Sequence, residues 1–96
     1  MDLIQETNNA NIIEVWVEER GRKSDTYVSG WDITDTELKE NLKIIKKSKG
    51  CNGSIKELVK EVGKIKVLQL QGKHRDYVIE YIKKTGVDES LIKVKL

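Results

Sequence analysis

Two clusters of cations are the strongest chemical signal in this sequence of 96 residues. Lys39, Lys43, Lys46 and Lys47 are spaced so that, at about 3.6 residues per turn, they fall on one helical arc roughly 100° wide. Glu37 and Glu40 lie beyond that arc, and an apolar stripe of Leu38, Leu42 and Ile45 runs beside it. Arg20, Arg22 and Lys23 form the second cluster, around Gly21. A phosphate backbone calls for such arrays, because each neutralised phosphate releases counterions and adds salt-dependent affinity. A lysine stripe by itself is more often a solvated helix face. A second cluster shifts the balance toward binding.

Aromatic residues offer a different chemistry. Trp16 alternates with Ile13, Val15 and Val17, so it points away from them, and normal strand pairing puts Tyr27 and Trp31 on the same outer face. Rings on an open sheet can stack on bases or anchor a protein partner. The competing expectation is that the N-terminal tail covers them. Catalysis has little support. Cys51 and His74 are the obvious nucleophile and base, yet no third residue marks them as a pair, and Cys51 reads as a small packing residue. His74 falls in the first turn of a helix, and no second His or Cys stands at metal-ligand spacing. Glycines 50, 53, 63 and 72 build no phosphate loop, because no Gly-Lys-Ser/Thr step leads into a helix. Asn52-Gly53-Ser54 spells a glycosylation sequon that means nothing without a signal peptide. No catalytic residue, metal or cofactor is expected, and the chain is not read as an enzyme.

The elements that must carry these residues follow from periodicity. Residues 1–11 lack a repeat and read as a flexible tail; residues 12–96 read as one domain. Alternation from Ile12 marks a strand, Arg20-Gly21-Arg22-Lys23 a turn, and Thr26 to Gly30 a second strand, making a hairpin with a basic tip. Thr34 with Glu37 forms a capping-box pattern that starts a helix running to about Lys47. Gly50 and Gly53 break it. Residues 55–59 and 65–70 read as a second strand pair. Gly72 opens a second helix with Tyr77, Val78, Tyr81 and Ile82 on one side, ended by Gly86 in the left-handed region. Residues 91–96 form the last strand. The predicted order is ββαββαβ, an α+β fold. Two helices cannot cover both faces of five strands, so a two-layer α/β sandwich is expected, with a mixed sheet and both helices on one face.

Bulk properties agree with a small charged domain. Charged residues make up 35% of the chain and the net charge is only +2, so any nucleic-acid binding must come from how charge is distributed. No apolar run approaches the roughly 20 residues of a membrane span, and the N-terminus has no basic-then-apolar signal. A single cysteine excludes an internal disulfide and fits a reducing compartment, so a cytoplasmic location is expected. The chain is also expected to be a monomer that works away from membranes.

One stretch resembles a known family. Lys46-Lys47-Ser48-Lys49-Gly50-Cys51-Asn52-Gly53-Ser54-Ile55 is similar to the end of the first helix and the next strand of eukaryotic translation initiation factor 1. Leu68-Gln69-Leu70-Gln71-Gly72-Lys73-His74-Arg75 resembles that family's strand-to-helix signature, Gly21-Arg22-Lys23 its basic hairpin tip, and Ile92-Lys93-Val94 its last strand. The resemblance implies a factor that binds the small ribosomal subunit near the P site during scanning and opposes premature commitment to a start codon. It implies contact with ribosomal RNA (rRNA) through Arg22 and Lys23, with Arg20 adjacent, and through Lys39, Lys43, Lys46 and Lys47. It further implies a loop facing the initiator tRNA complex, here carrying Lys60 and Lys64, and partners among initiation factors 1A, 2, 3 and 5. Glu40 and Ser48 stand where the family usually carries a basic residue. Two alternatives remain open: a recycling or reinitiation paralogue, and a protein-interaction domain using Trp16, Tyr27 and Trp31.

Overall fold

The computed structural model describes residues 12–60 and 63–95. The tail expected over residues 1–11 and the side chain of Lys60 lie outside them. Strands β1 (Ile13–Arg20) and β2 (Lys23–Ser29) pair antiparallel out to Arg20 opposite Lys23. Their two-residue connection has Gly21 at φ 61°, the positive φ that a type II′ hairpin turn needs at its first central residue. Helix α1 (Asp35–Lys49) follows. The Thr34 hydroxyl accepts the Glu37 N–H while the Glu37 carboxylate accepts the Thr34 N–H, which is the predicted capping box. The helix runs past Lys47 because its left-handed cap is Gly50, whose N–H donates to the Lys46 carbonyl.

Strands β3 (Gly53–Lys60) and β4 (Gly63–Gln71) form a second antiparallel hairpin. Helix α2 (Arg75–Lys84) begins at Arg75, later than Gly72, because residues 72–74 are held in another conformation described below. A 3₁₀ turn (Glu89–Leu91) capped by Asp88 takes up the start of the expected last strand and leaves β5 as Ile92–Val94. The sheet order is β3-β4-β2-β1-β5, with β5 parallel to β1 and every other pair antiparallel. The five-stranded mixed sheet and two helices in ββαββαβ order match the sequence expectation.

The core lies between the sheet and the helix layer. Ile13, Val15, Val28, Leu68 and Leu70 come up from the strands, and Leu38, Leu42, Ile45, Val78 and Ile82 come down from the helices. Two polar contacts set the helices in place: Tyr81 Oη donates to Asn41 Oδ1 at 2.6 Å between α2 and α1, and Lys66 Nζ meets Asp35 at 2.7 Å at the start of α1. Gly53 sits where β3 meets both β4 and α1. A Cβ there would come 2.6 Å from the Gln69 carbonyl oxygen and 3.3 Å from Leu42 Cδ1, so only glycine fits. Truncating Leu42 to Ala is expected to cost about 2–5 kcal/mol in urea unfolding, from the transfer energy forgone and the cavity left behind. Gly53→Ala is expected to lower the midpoint as well, through overlap with β4 backbone that cannot relax cheaply. A wild-type midpoint for either variant would refute this packing.

Candidate nucleic-acid interface

Within α1, Lys39, Lys43 and Lys47 are exposed and Lys46 is half-buried. Their helical spacing places them on the flank of the buried stripe, so the packing that fixes Leu38, Leu42 and Ile45 also aims the lysines outward. Among the described residues no carboxylate forms an ion pair with any of the four. At the hairpin tip Arg22 and Lys23 are likewise exposed and, among the described residues, unpaired, whereas Arg20 differs. Its guanidinium bonds to the buried carboxylate of Asp25, which holds the Arg20 pKa above its ordinary value, first by that hydrogen bond and then by charge. Arg20 is therefore partly spent inside the protein, and Arg22 and Lys23 carry the available charge of the tip.

The loop joining β4 to α2 lies between the two clusters, and one buried hydroxyl shapes it. Thr26 Oγ1 donates to the Gly72 carbonyl at 2.7 Å and accepts the His74 N–H at 2.8 Å. The Gly72 N–H donates to the Ser24 carbonyl at 2.7 Å. Gly72 has φ 103°, and a Cβ there would meet the His74 ring 2.7 Å away. His74 Nε2 lies 2.8 Å from the Gln71 carbonyl; a carbonyl only accepts, so Nε2 carries the proton. The loop brings Lys73, His74 and Arg75 beside the hairpin: Arg20, Lys23 and Gly72 line one shallow depression. Lys49, Lys73, Arg75 and Lys95 line the next. These last four were absent from the sequence-derived clusters. Lys73 and Arg75 flank a glycine-led loop and could have been noticed; Lys49 and Lys95 come together with them only through the fold.

The aromatic residues separate. Trp16 and Tyr27 do share the outer face, stacked at 5.4 Å between ring centroids and 17° between planes. The Lys95 ammonium lies 5.1 Å from the Trp16 ring centre. Strands β2 and β5 flank β1 on opposite sides, so Tyr27 and Lys95 cover opposite faces of the indole and leave its edge, where Nε1 donates to Glu18 at 3.1 Å. Trp31 does not belong to this face. It packs edge-on against Tyr81 of α2 at 6.4 Å and lies against the core, because Gly30 at φ 82° turns the chain out of β2 and ends the alternation at Ser29. Lys64 is exposed near the β3–β4 turn. Cys51 packs against the core, and burial pushes its thiol pKa up, which disfavours the reactive thiolate. Among the described residues no three His, Cys, Asp or Glu side chains gather as a metal site.

This arrangement, a sheet with both helices on one side and cations on the first helix and first hairpin, coincides with a family match over residues 9–88 to the model described as "Translation initiation factor SUI1". The chain belongs to the SUI1 family of translation initiation factors. It is 37% identical over 91 residues to eukaryotic translation initiation factor eIF-1 of Saccharomyces cerevisiae, covering 93% of this chain and 81% of that protein. It is 36% identical over 78 residues to protein translation factor SUI1 of Eremothecium gossypii, covering 80% of this chain and 68% of that one. In this SUI1 domain the matched span takes in both cation clusters and the loop between them, while Lys95 lies beyond it. The Thr26 clamp is expected to show in stability. Thr26→Val keeps the shape but removes both bonds, and should cost about 1–3 kcal/mol. Amide exchange at His74 should accelerate beyond the change in global stability; unchanged His74 exchange would mean that the hydroxyl does not hold the loop.

Proposed function

We propose that this SUI1-family factor binds the small ribosomal subunit near the P site and enforces start-codon selection during scanning. The observation that carries the reading is the set of exposed lysines on α1, Lys39, Lys43 and Lys47 with Lys46 beside them, which form no ion pair with a carboxylate among the described residues. Arg22 and Lys23 extend the same chemistry to the hairpin tip, with Arg20 as their neighbour. In this reading the cations hold rRNA phosphates by contacts that are individually weak and exchange readily with salt. Retention that is a sum of such contacts suits a factor that must stay while codons are tested and leave once pairing is correct. Lys60 ends β3 and Lys64 pairs opposite Val59 in β4, so both are strand residues and not loop residues. They flank the turn that would face the initiator tRNA complex, and factors 1A, 2, 3 and 5 would be the protein neighbours. The factor would act as a cytoplasmic monomer. Because both faces of the Trp16 ring are occupied, base stacking there plays no part.

Charge reversal at Arg22 and Lys23, or at Lys43 and Lys47, is expected to weaken binding to purified eukaryotic small subunits without unfolding the domain. Removing one phosphate-binding cation should flatten the slope of log affinity against log salt by roughly 0.7–1, and a double change by nearly twice that. In paired reporters starting at AUG and UUG, weaker retention should raise the UUG-to-AUG ratio. An unchanged ratio together with an unchanged slope would remove these clusters from the mechanism.

A further inference from the structure

We propose that the groove between the end of β1 and the start of α2 is a third RNA-backbone contact, which joins the hairpin tip to α1 as one track for a phosphodiester strand. The inference rests on the reading of the protein as an rRNA-bound factor and adds residues that neither cluster contains. The groove is open, about 650 Å³ in volume, and lined by Lys49, Lys73, Arg75 and Lys95 against two carboxylates, Glu19 and Asp76. One cation is held in the groove by a ring, Lys49 Nζ lying 4.9 Å from the Tyr77 ring centre, while Lys95 borders the groove at the sheet edge with its ammonium over Trp16. A ring positions an ammonium group without cancelling its charge.

The carboxylates are exchangeable. Glu19 pairs with Lys73 at 2.8 Å with both side chains 63% exposed, and Asp76 reaches Arg75 at 3.5 Å while almost wholly in solvent. Such surface pairs hold weakly, so an incoming phosphate can take the place of Glu19 on Lys73. Hydrogen bonding to Lys73 keeps the Glu19 carboxyl below its ordinary pKa, so it is ionised at neutral pH and competes with the phosphate. The groove floor does not rearrange to accept a strand, because Thr26 fixes residues 72–74 from below.

The form of the surface favours RNA over an acidic protein segment. Lys49 stands one turn beyond Lys46 of α1, and Glu19 leads directly into the hairpin that carries Arg22 and Lys23, so cations stand at both ends of the groove as well as within it, as phosphates do along a strand. Of the lining residues only Val17 and Tyr77 are apolar or aromatic, and the others are charged or polar, whereas protein interfaces draw their hold from clustered apolar anchors.

The test compares two double variants, Lys73→Ala with Arg75→Ala and Lys49→Ala with Lys95→Ala, for binding to purified eukaryotic small subunits across a salt series. Each double should flatten the log–log slope by about 1.4–2 while the circular dichroism and urea midpoint stay close to wild type. Glu19→Gln should act in the opposite direction and tighten binding at fixed salt, a gain that no folding defect can imitate. Lysine acetylation of the wild-type complex should show Lys49, Lys73 and Lys95 protected. If Lys43 and Lys47 reversal weakens binding but both groove doubles and Glu19→Gln match wild type, the groove is not a contact and the ribosomal reading stands. If neither set of changes alters binding, both readings fall. Should the groove doubles weaken binding to a twelve-residue polyglutamate peptide, yet leave small subunits and a twelve-nucleotide polyuridine unaffected, the surface serves an acidic protein and the inference is overturned.

Discussion

Thr26 has no solvent exposure, yet its hydroxyl is fully used, donating to one backbone group of the β4–α2 loop and accepting from another. A buried hydroxyl without partners would be a liability, and so would the unpaired Gly72 carbonyl and His74 N–H. Placed together, the three satisfy one another and fasten the loop to the central strand β2. That strand also carries the hairpin tip on one side and pairs with β4 on the other. One hydroxyl thus sets where Lys73 and Arg75 lie relative to Arg22 and Lys23.

The second constraint is geometric. Two short helices shield one face of a five-stranded sheet, so among the described residues the other face must manage without a layer of its own. It does so through cross-strand pairs. Lys95, Trp16, Tyr27, Gln69 and Ser54 follow one another across the strands in register, with the indole enclosed between a cation and a ring. Rings standing side by side in such a row present their edges, which explains how apolar surface on an open face can be present without forming a stacking platform. Charge is handled in a similar way. Acidic groups pair at chosen positions, Asp25 with Arg20, Asp35 with Lys66 and Glu80 with Lys83. The lysines of α1 are left unpaired among the described residues, so a chain with a net charge of +2 still presents a basic face.

Local chemistry was largely readable from the sequence. The capping box at Thr34 and Glu37, the apolar stripe of α1, the Gly21 turn and the alternation of β1 are decided by neighbours within a few residues, and each appears as expected. The core residues followed from the same periodicities, because a buried stripe on a helix and a buried face on a strand have only each other to meet. Where boundaries moved, a nearby glycine or cap explains the shift: Gly50 carries α1 to Lys49, and Asp88 shortens β5.

Long-range contacts were not readable. Alternation alone would leave Trp31 on the outer face, and only the turn at Gly30 together with the presence of Tyr81 sends it to the helix side. Nothing in the order of residues says that Lys49, Lys73 and Lys95, from three distant segments, line one groove, since that follows from β5 lying parallel beside β1 and α2 lying at its end. The sequence by itself determined which segments become helix and strand and which side of each is apolar, because those depend on short-range hydrogen bonding and residue period. Which polar residues meet was decided by the tertiary structure alone, because polar side chains carry no periodic signal and find their neighbours only when the sheet order and the buried Thr26 clamp bring the segments together.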